Sequence, residues 1–175
     1  MRLVLIVALV LLTGCRKSEE LPGDNGSTIR QKGDSIEIRT KDGTARIDAE
    51  GHSARIETDQ GTMTFGEGEV PEGFPLPIRP GASVEHSAHM TGPDGTDVFQ
   101  LSYSAAGTAK ELADFYETDF KERGLEITRS QQSGGGTEMF MVGGKSDEID
   151  ASAMVMHESG AGRPMVSLTW STRKK

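Results

Sequence analysis

Between residues 33 and 66 apolar residues return every nine positions. Ile38, Ile47, Ile56 and Phe65 form one series, and Ile36, Ala45, Ala54 and Met63 precede them by two. A spacing of two puts both series on one face of a strand, because strand side chains alternate. The stretch is therefore restricted to short strands. Asp42-Gly43, Gly51-His52 and Gln60-Gly61 stand between the pairs. Two-residue loops there set Ile38 opposite Ile47, Ile47 opposite Ile56 and Ile56 opposite Phe65, a four-stranded antiparallel meander. A parallel solenoid is the alternative. The other face carries Glu37, Arg39, Arg46, Asp48, Arg55 and Glu57, and charge divides between the two. The meander sets Arg46 against Glu57 but Arg39 against Arg46, while the solenoid stacks Arg46 on Arg55. The Asp-Gly turn favours the meander. The apolar face has no second layer within the repeat, so the C-terminal part or a partner must cover it. Cover from within the chain is expected, which leaves Arg39, Arg46 and Arg55 as the candidate partner surface.

At the other end of the argument stands Arg2, followed by an apolar run from Leu3 to Leu12 and by Leu12-Thr13-Gly14-Cys15. A basic start, a short apolar core and small residues before a cleavage point describe a secretory signal. A helix of this length spans about 15 Å, half the ~30 Å hydrocarbon core, so a transmembrane span is the poorer reading. The sole cysteine follows the small pair directly, and here the segment resembles the lipobox of bacterial lipoproteins. The resemblance implies that residues 1–14 are removed as a signal peptide and that Cys15 is acylated as the first mature residue. A lipid-anchored protein of the cell envelope is then expected. Arg16, where aspartate would signal retention at the inner membrane, favours the outer membrane if the cell has one.

Without Arg2 the chain would carry 18 basic against 27 acidic residues, a charge of −9 against −8 for the whole sequence. This sign argues against nucleic acid, whose binders rely on lysine and arginine at phosphates. It also argues against attraction to anionic lipid, which leaves membrane attachment to the acyl group. One cysteine cannot form a disulfide within its chain, so stability rests on packing. With 34% hydrophobic residues and 22 glycines, short strands suit the composition better than a helical bundle.

Residues 15–32 hold few apolar side chains and are expected to form a flexible tether. Residues 67–82 contain Pro71, Pro75, Pro77 and Pro80 and read as an extended connector, anchored on its own domain by Phe74, Leu76 and Ile78. Residues 83–175 are expected to form an antiparallel sheet with one helix packed on it, so that the whole chain is α+β. Strands are predicted at Ser83–Met90 and Asp97–Tyr103, joined through Gly92-Pro93-Asp94-Gly95. The helix is predicted over Ala109–Arg123, with Thr108 as N-cap, Glu111 closing a capping box and Gly124 past its end. Ala109, Leu112, Ala113, Tyr116 and Phe120 form its buried stripe, with Phe115 at the edge and Glu117 exposed. Four further strands are predicted near Glu126–Gln131, Thr137–Val142, Ile149–His157 and Met165–Thr172. Turns at Gly134-Gly135-Gly136, Gly143-Gly144 and Gly160-Ala161-Gly162 separate them. Residues 70–130, from the Phe-Pro and Pro-Gly-Ala steps to Phe120-Lys121-Glu122-Arg123-Gly124-Leu125, are similar to a pattern in small bacterial lipoproteins of no assigned activity. That resemblance bears on architecture alone.

No catalytic set, metal site or cofactor is predicted. His86 and His89 are three apart on a strand and point to opposite faces, and no third ligand accompanies them. His52 and His157 fall in a turn and near a strand end. Ser102, Ser104, Ser152 and Ser167 lack the Gly-x-Ser-x-Gly elbow. Gly134–Gly136 lacks the lysine and helix of a phosphate loop, and Asp94 with Asp97 lacks the remaining ligands of a calcium loop. Trp170 is expected in the core. The leading expectation is a non-enzymatic envelope protein that acts through contacts with another envelope protein. A binder of a small or lipidic ligand between helix and sheet is the alternative, and an enzyme comes third.

Overall fold

A computed structural model describes residues 20–22, 28–32, 35–48 and 53–173. Twelve strands and one helix follow in order: β1 (Glu20–Pro22), β2 (Thr28–Lys32), β3 (Ser35–Thr40), β4 (Gly43–Asp48), β5 (Ser53–Thr58), β6 (Gly61–Gly66), β7 (Ser83–Thr91), β8 (Asp97–Ser104), α1 (Ala109–Glu122), β9 (Glu126–Gly134), β10 (Thr137–Lys145), β11 (Ile149–Glu158) and β12 (Met165–Thr172). The fold is α+β, an antiparallel sheet with a single helix packed on it. The strands run in chain order from β1 to β8 and then continue β12-β11-β10-β9. Cys15 and residues 1–14 lie outside the described residues, as do His52 and the Gly51-His52 turn. Within the stretch expected to be a tether, Glu20–Pro22 and Thr28–Lys32 are strands, and Ile29 pairs with Ile38. The sheet as described therefore includes residues before 33.

The helix starts and stops for the reasons its sequence supplies. The Thr108 hydroxyl accepts from the Glu111 N–H at 3.2 Å, and the Glu111 carboxylate accepts from the Thr108 N–H at 2.9 Å. At the other end Leu125 N–H reaches Phe120 C=O at 3.0 Å and Gly124 N–H reaches Lys121 C=O at 2.9 Å, a Schellman closure that Gly124 permits at φ 74°. Ala109, Leu112, Ala113, Tyr116 and Phe120 are buried against β10 and β11, with β9 beside them. Beneath them lie Leu101, Tyr103, Phe140, Val142, Val155, Val166 and Leu168. The connector crosses the same side of the sheet. Leu76 is buried, Phe74 and Ile78 pack on the core, and Phe74 meets Phe99 edge to face at 6.0 Å.

Register in the repeat differs from the expectation by two residues. Ile38 faces Ala45 and Ile36 faces Ile47; Ala45 faces Ile56 and Ile47 faces Ala54; Ile56 faces Met63 and Ala54 faces Phe65. The turns are Lys41-Asp42 and Asp59-Gln60, while Gly43 and Gly61 open the following strands. Their reason lies across the sheet. A Cβ on Gly43 (φ 155°) would stand 2.3 Å from the Glu57 carbonyl oxygen, and one on Gly61 (φ 127°) 2.1 Å from that of Thr91. These glycines serve close backbone approach rather than the turn. A shift of two keeps every side chain on its face, so the alternation survives while the partners change. Gly143-Gly144, expected as a turn, lies inside β10 for a similar reason: a Cβ on Gly144 would meet Leu125 at 2.9 Å and Phe120 at 3.0 Å.

β6 pairs with β7, Thr62 to Thr91 through Gly66 to Ser87. The repeat and the C-terminal unit are thus one sheet joined side by side, and the second does not lie over the first. The apolar face of β2–β6 consequently stays open. Ile29, Ile36, Ile47, Ile56 and Phe65 are between 37% and 41% exposed.

Candidate functional site

Cross-strand pairs lie on one face, so the registers trace both faces across the whole sheet. Beneath α1 the helix-side face is apolar. Toward β2 it becomes polar, with the row Arg30, Glu37, Arg46, Arg55, Thr64 and His89. The helix-free face does the reverse. Two of its rows run Ile38, Ala45, Ile56, Met63, Met90, Val98 and Ile36, Ile47, Ala54, Phe65, Ala88. They pass into Gln100, Ser102, Thr169, Ser167 and Ser152. The sheet exchanges its apolar side near β7.

Arg39, Arg46 and Arg55 share the helix-side face. Glu37, only 7% exposed, accepts from Arg46 Nη2 at 2.7 Å and from Arg39 Nε at 2.6 Å. The Arg46 hydrogen bond, aided by that of Arg39, holds the Glu37 carboxyl below its ordinary value, and Glu37 raises Arg46 in return. Arg55 Nε donates to Glu57 Oε1 at 2.7 Å. All three guanidinium groups therefore have carboxylate partners on their own sheet. Arg46 stands opposite Glu37 rather than Glu57 because of the register shift, and its neighbour on the other side is Arg55.

The open helix-free face carries two shallow grooves. One, of about 380 Å³, is lined by Ile47, Ala54, Phe65, His86, Ala88 and Gln100. The other has the same volume and is lined by Ile56, Met63, Met90 and Val98 with Thr62 and Thr96. The space between helix and sheet is filled instead: Leu112, Tyr116, Phe120, Tyr103 and Val155 are wholly buried there. Tyr116 donates to the Pro77 carbonyl at 2.9 Å and lies 2.5 Å from the Tyr103 hydroxyl. Burial raises both phenols. This chain of hydrogen bonds fastens the connector and supplies no titrating group near neutrality.

His86 and His89 point to opposite faces. The His89 ring stacks on Phe99 at 4.0 Å, and its Nε2 is 3.1 Å from Asp97 Oδ1. Thr91 donates to the same oxygen at 2.8 Å and lies 3.4 Å from the same ring nitrogen. A nucleophile, base and acid in relay would use the two ring nitrogens separately. Here both partners crowd one, so the trio clamps the turn end of the β7–β8 hairpin. The sequence shows these residues only once Thr91 is known to face Asp97 across the turn. Asp94 takes other partners, accepting from the Thr96 N–H and hydroxyl at 2.9 Å. Ser102 and Ser167 face each other at 3.3 Å on the helix-free side, and the His157 ring nitrogen is 3.3 Å from the Ala161 carbonyl. Trp170 is buried beneath Arg123, whose guanidinium carbon lies 5.4 Å from the ring centre. Among the described residues no three His, Cys, Asp or Glu side chains gather as a metal set, and no helix is long and apolar enough to cross a membrane. No family model matches the chain, and no curated protein or solved structure matches it significantly.

Proposed function

We propose that this chain is a lipid-anchored protein of the bacterial envelope, held by Cys15, non-enzymatic, and acting through protein contacts. The observation that supports the contact reading is the helix-free face of β2–β6, where five large apolar side chains remain open to water in uncharged rows. Contiguous apolar surface of this kind marks interaction sites in proteins that are otherwise soluble. We read residues 33–66 as a four-stranded meander whose isoleucine side receives the partner. The arginine side is the lesser candidate, because Glu37 and Glu57 already engage Arg39, Arg46 and Arg55. The two grooves keep a ligand reading as the second choice, since about 300 Å³ suffices for a small molecule, but the site moves from beneath the helix to the sheet's other side.

A photo-cross-linking residue at Ile47 or Ile56 in intact cells tests the contact face. Adducts with an envelope protein are expected there and not at Arg55; adducts at Arg55 alone would overturn the choice of face. Metabolic labelling with a fatty-acid analogue tests the anchor. Label is expected on the native chain and absent after Cys15→Ser, and label kept by the serine variant would refute it.

A further inference from the structure

Every methionine after Met1 lies on the helix-free face. Met63 pairs with Met90 across β6 and β7. The other five gather on three adjoining strands at the opposite end of the sheet, with Met139 opposite Met156, Met156 opposite Met165, and Met141 opposite Met154. Opposed Cβ atoms on neighbouring antiparallel strands are ~5 Å apart and residues two apart on a strand ~7 Å. Met139, Met141, Met154 and Met156 thus mark the corners of a rectangle whose centre is about 4 Å from each Cβ, within reach of a methionine sulfur. Met165 adjoins one corner.

Burial does not account for three of these residues, and Met139 and Met156 are half-buried. Met141, Met154 and Met165 are 49%, 37% and 39% exposed, while the core on the other side is built from leucine, valine, alanine and aromatic residues. Their neighbours in register are Ser130, Gln132 and Ser167, the uncharged polar residues expected on a wet strand face. Five flexible thioethers in a polar surround form a concentrated soft donor set. Thioether sulfur selects monovalent copper, whereas carboxylate, carbonyl and imidazole serve harder ions. Glu158, opposite Thr137 in the row beyond Met139 and Met156, offers a negative charge beside an otherwise neutral set.

We propose that Met139, Met141, Met154 and Met156, with Met165 alongside, form a surface site for a soft monovalent cation, Cu(I) or its analogue Ag(I). The site is separate from the isoleucine face and does not depend on the contact reading. The test uses the full chain in detergent with Cys15→Ser, which removes the one sulfur outside the methionines, and titrates Cu(I) under reducing conditions against a chromogenic chelator. A single Cu(I) is expected, with methyl NMR signals shifting for the five clustered methionines and staying in place for Met63 and Met90. In a Met139→Leu/Met154→Leu/Met156→Leu variant, affinity is expected to fall by about tenfold or more. Leucine nearly conserves volume, and Met63→Leu/Met90→Leu should bind as the parent does. Absence of binding, undiminished binding in the triple variant, methyl shifts elsewhere than the cluster, or Zn(II) bound as tightly as Cu(I) would each overturn the site. The methyl shifts in the parent decide the matter even if the triple variant does not fold.

Discussion

Leu112 and Glu117 occupy opposite sides of the same helix, and only the first behaves as its position in the sequence suggests. Leu112 is wholly buried, so Leu112→Ala is expected to cost about 2–5 kcal/mol, measured by thermal or urea melts. Glu117 reads as solvent-facing, yet Arg129 from β9 reaches it and also donates to Asp114 at 2.7 Å. Glu117 accepts from Lys121 as well, at 2.5 Å. The true bystander is exposed Glu122, where alanine should change stability by no more than ~0.5 kcal/mol. Glu37 gives a pH signature. Its folded pKa is depressed, so its contribution is present above the ordinary value near 4.5 and is lost as pH falls through the lower folded value. The difference in urea midpoint between the parent and Glu37→Gln should be greatest near neutrality and close on acidification below about pH 5. A difference independent of pH would show that the arginines do not act on its charge.

The helix was legible almost to the residue, whereas the hairpins were legible in facing and not in partner. The capping box, the apolar stripe and Gly124 are local signals, and α1 obeys them. Glycine in a strand-rich chain carries two meanings. Gly43, Gly61 and Gly144 all read as turn residues, and each instead admits a neighbouring group too close for a side chain. That information lies on a strand or helix distant in sequence, which no local pattern contains. Gly61→Ala is accordingly expected to destabilise by more than ~1 kcal/mol, through positive φ and collision with the Thr91 carbonyl. Hydrogen exchange should quicken along Thr62–Gly66, and unchanged protection there would refute the close approach. Of the candidate sites, the arginine cluster was legible as a face. Glu37 at its centre was not, because register decides which carboxylate each arginine meets.

For the molecule as a whole, the alternation of polar and apolar residues constrains each strand but is silent on whether two units stack or join at an edge. They join at β6–β7, and the hydrophobic cluster is drawn entirely from Leu76 to Trp170. A chain beginning near Glu67 should therefore fold alone, with native near-ultraviolet circular dichroism and a cooperative melt. Stacking of the C-terminal unit on the isoleucine rows would instead leave such a chain aggregated.

The strand order also determines how the molecule yields to tension. From β2 to β7 each strand pairs with the next in sequence, so a pull at the Thr28 end reaches Thr28–Arg39 first and then opens successive hairpins. The peeling stops at β8, which is held by β12 from far along the chain. Force spectroscopy should record a sequence of small extensions at low load before a single larger rupture. The amino-terminal half would then pay out length under strain while the helix-covered half stays whole, a compliant leader ahead of a stiff body.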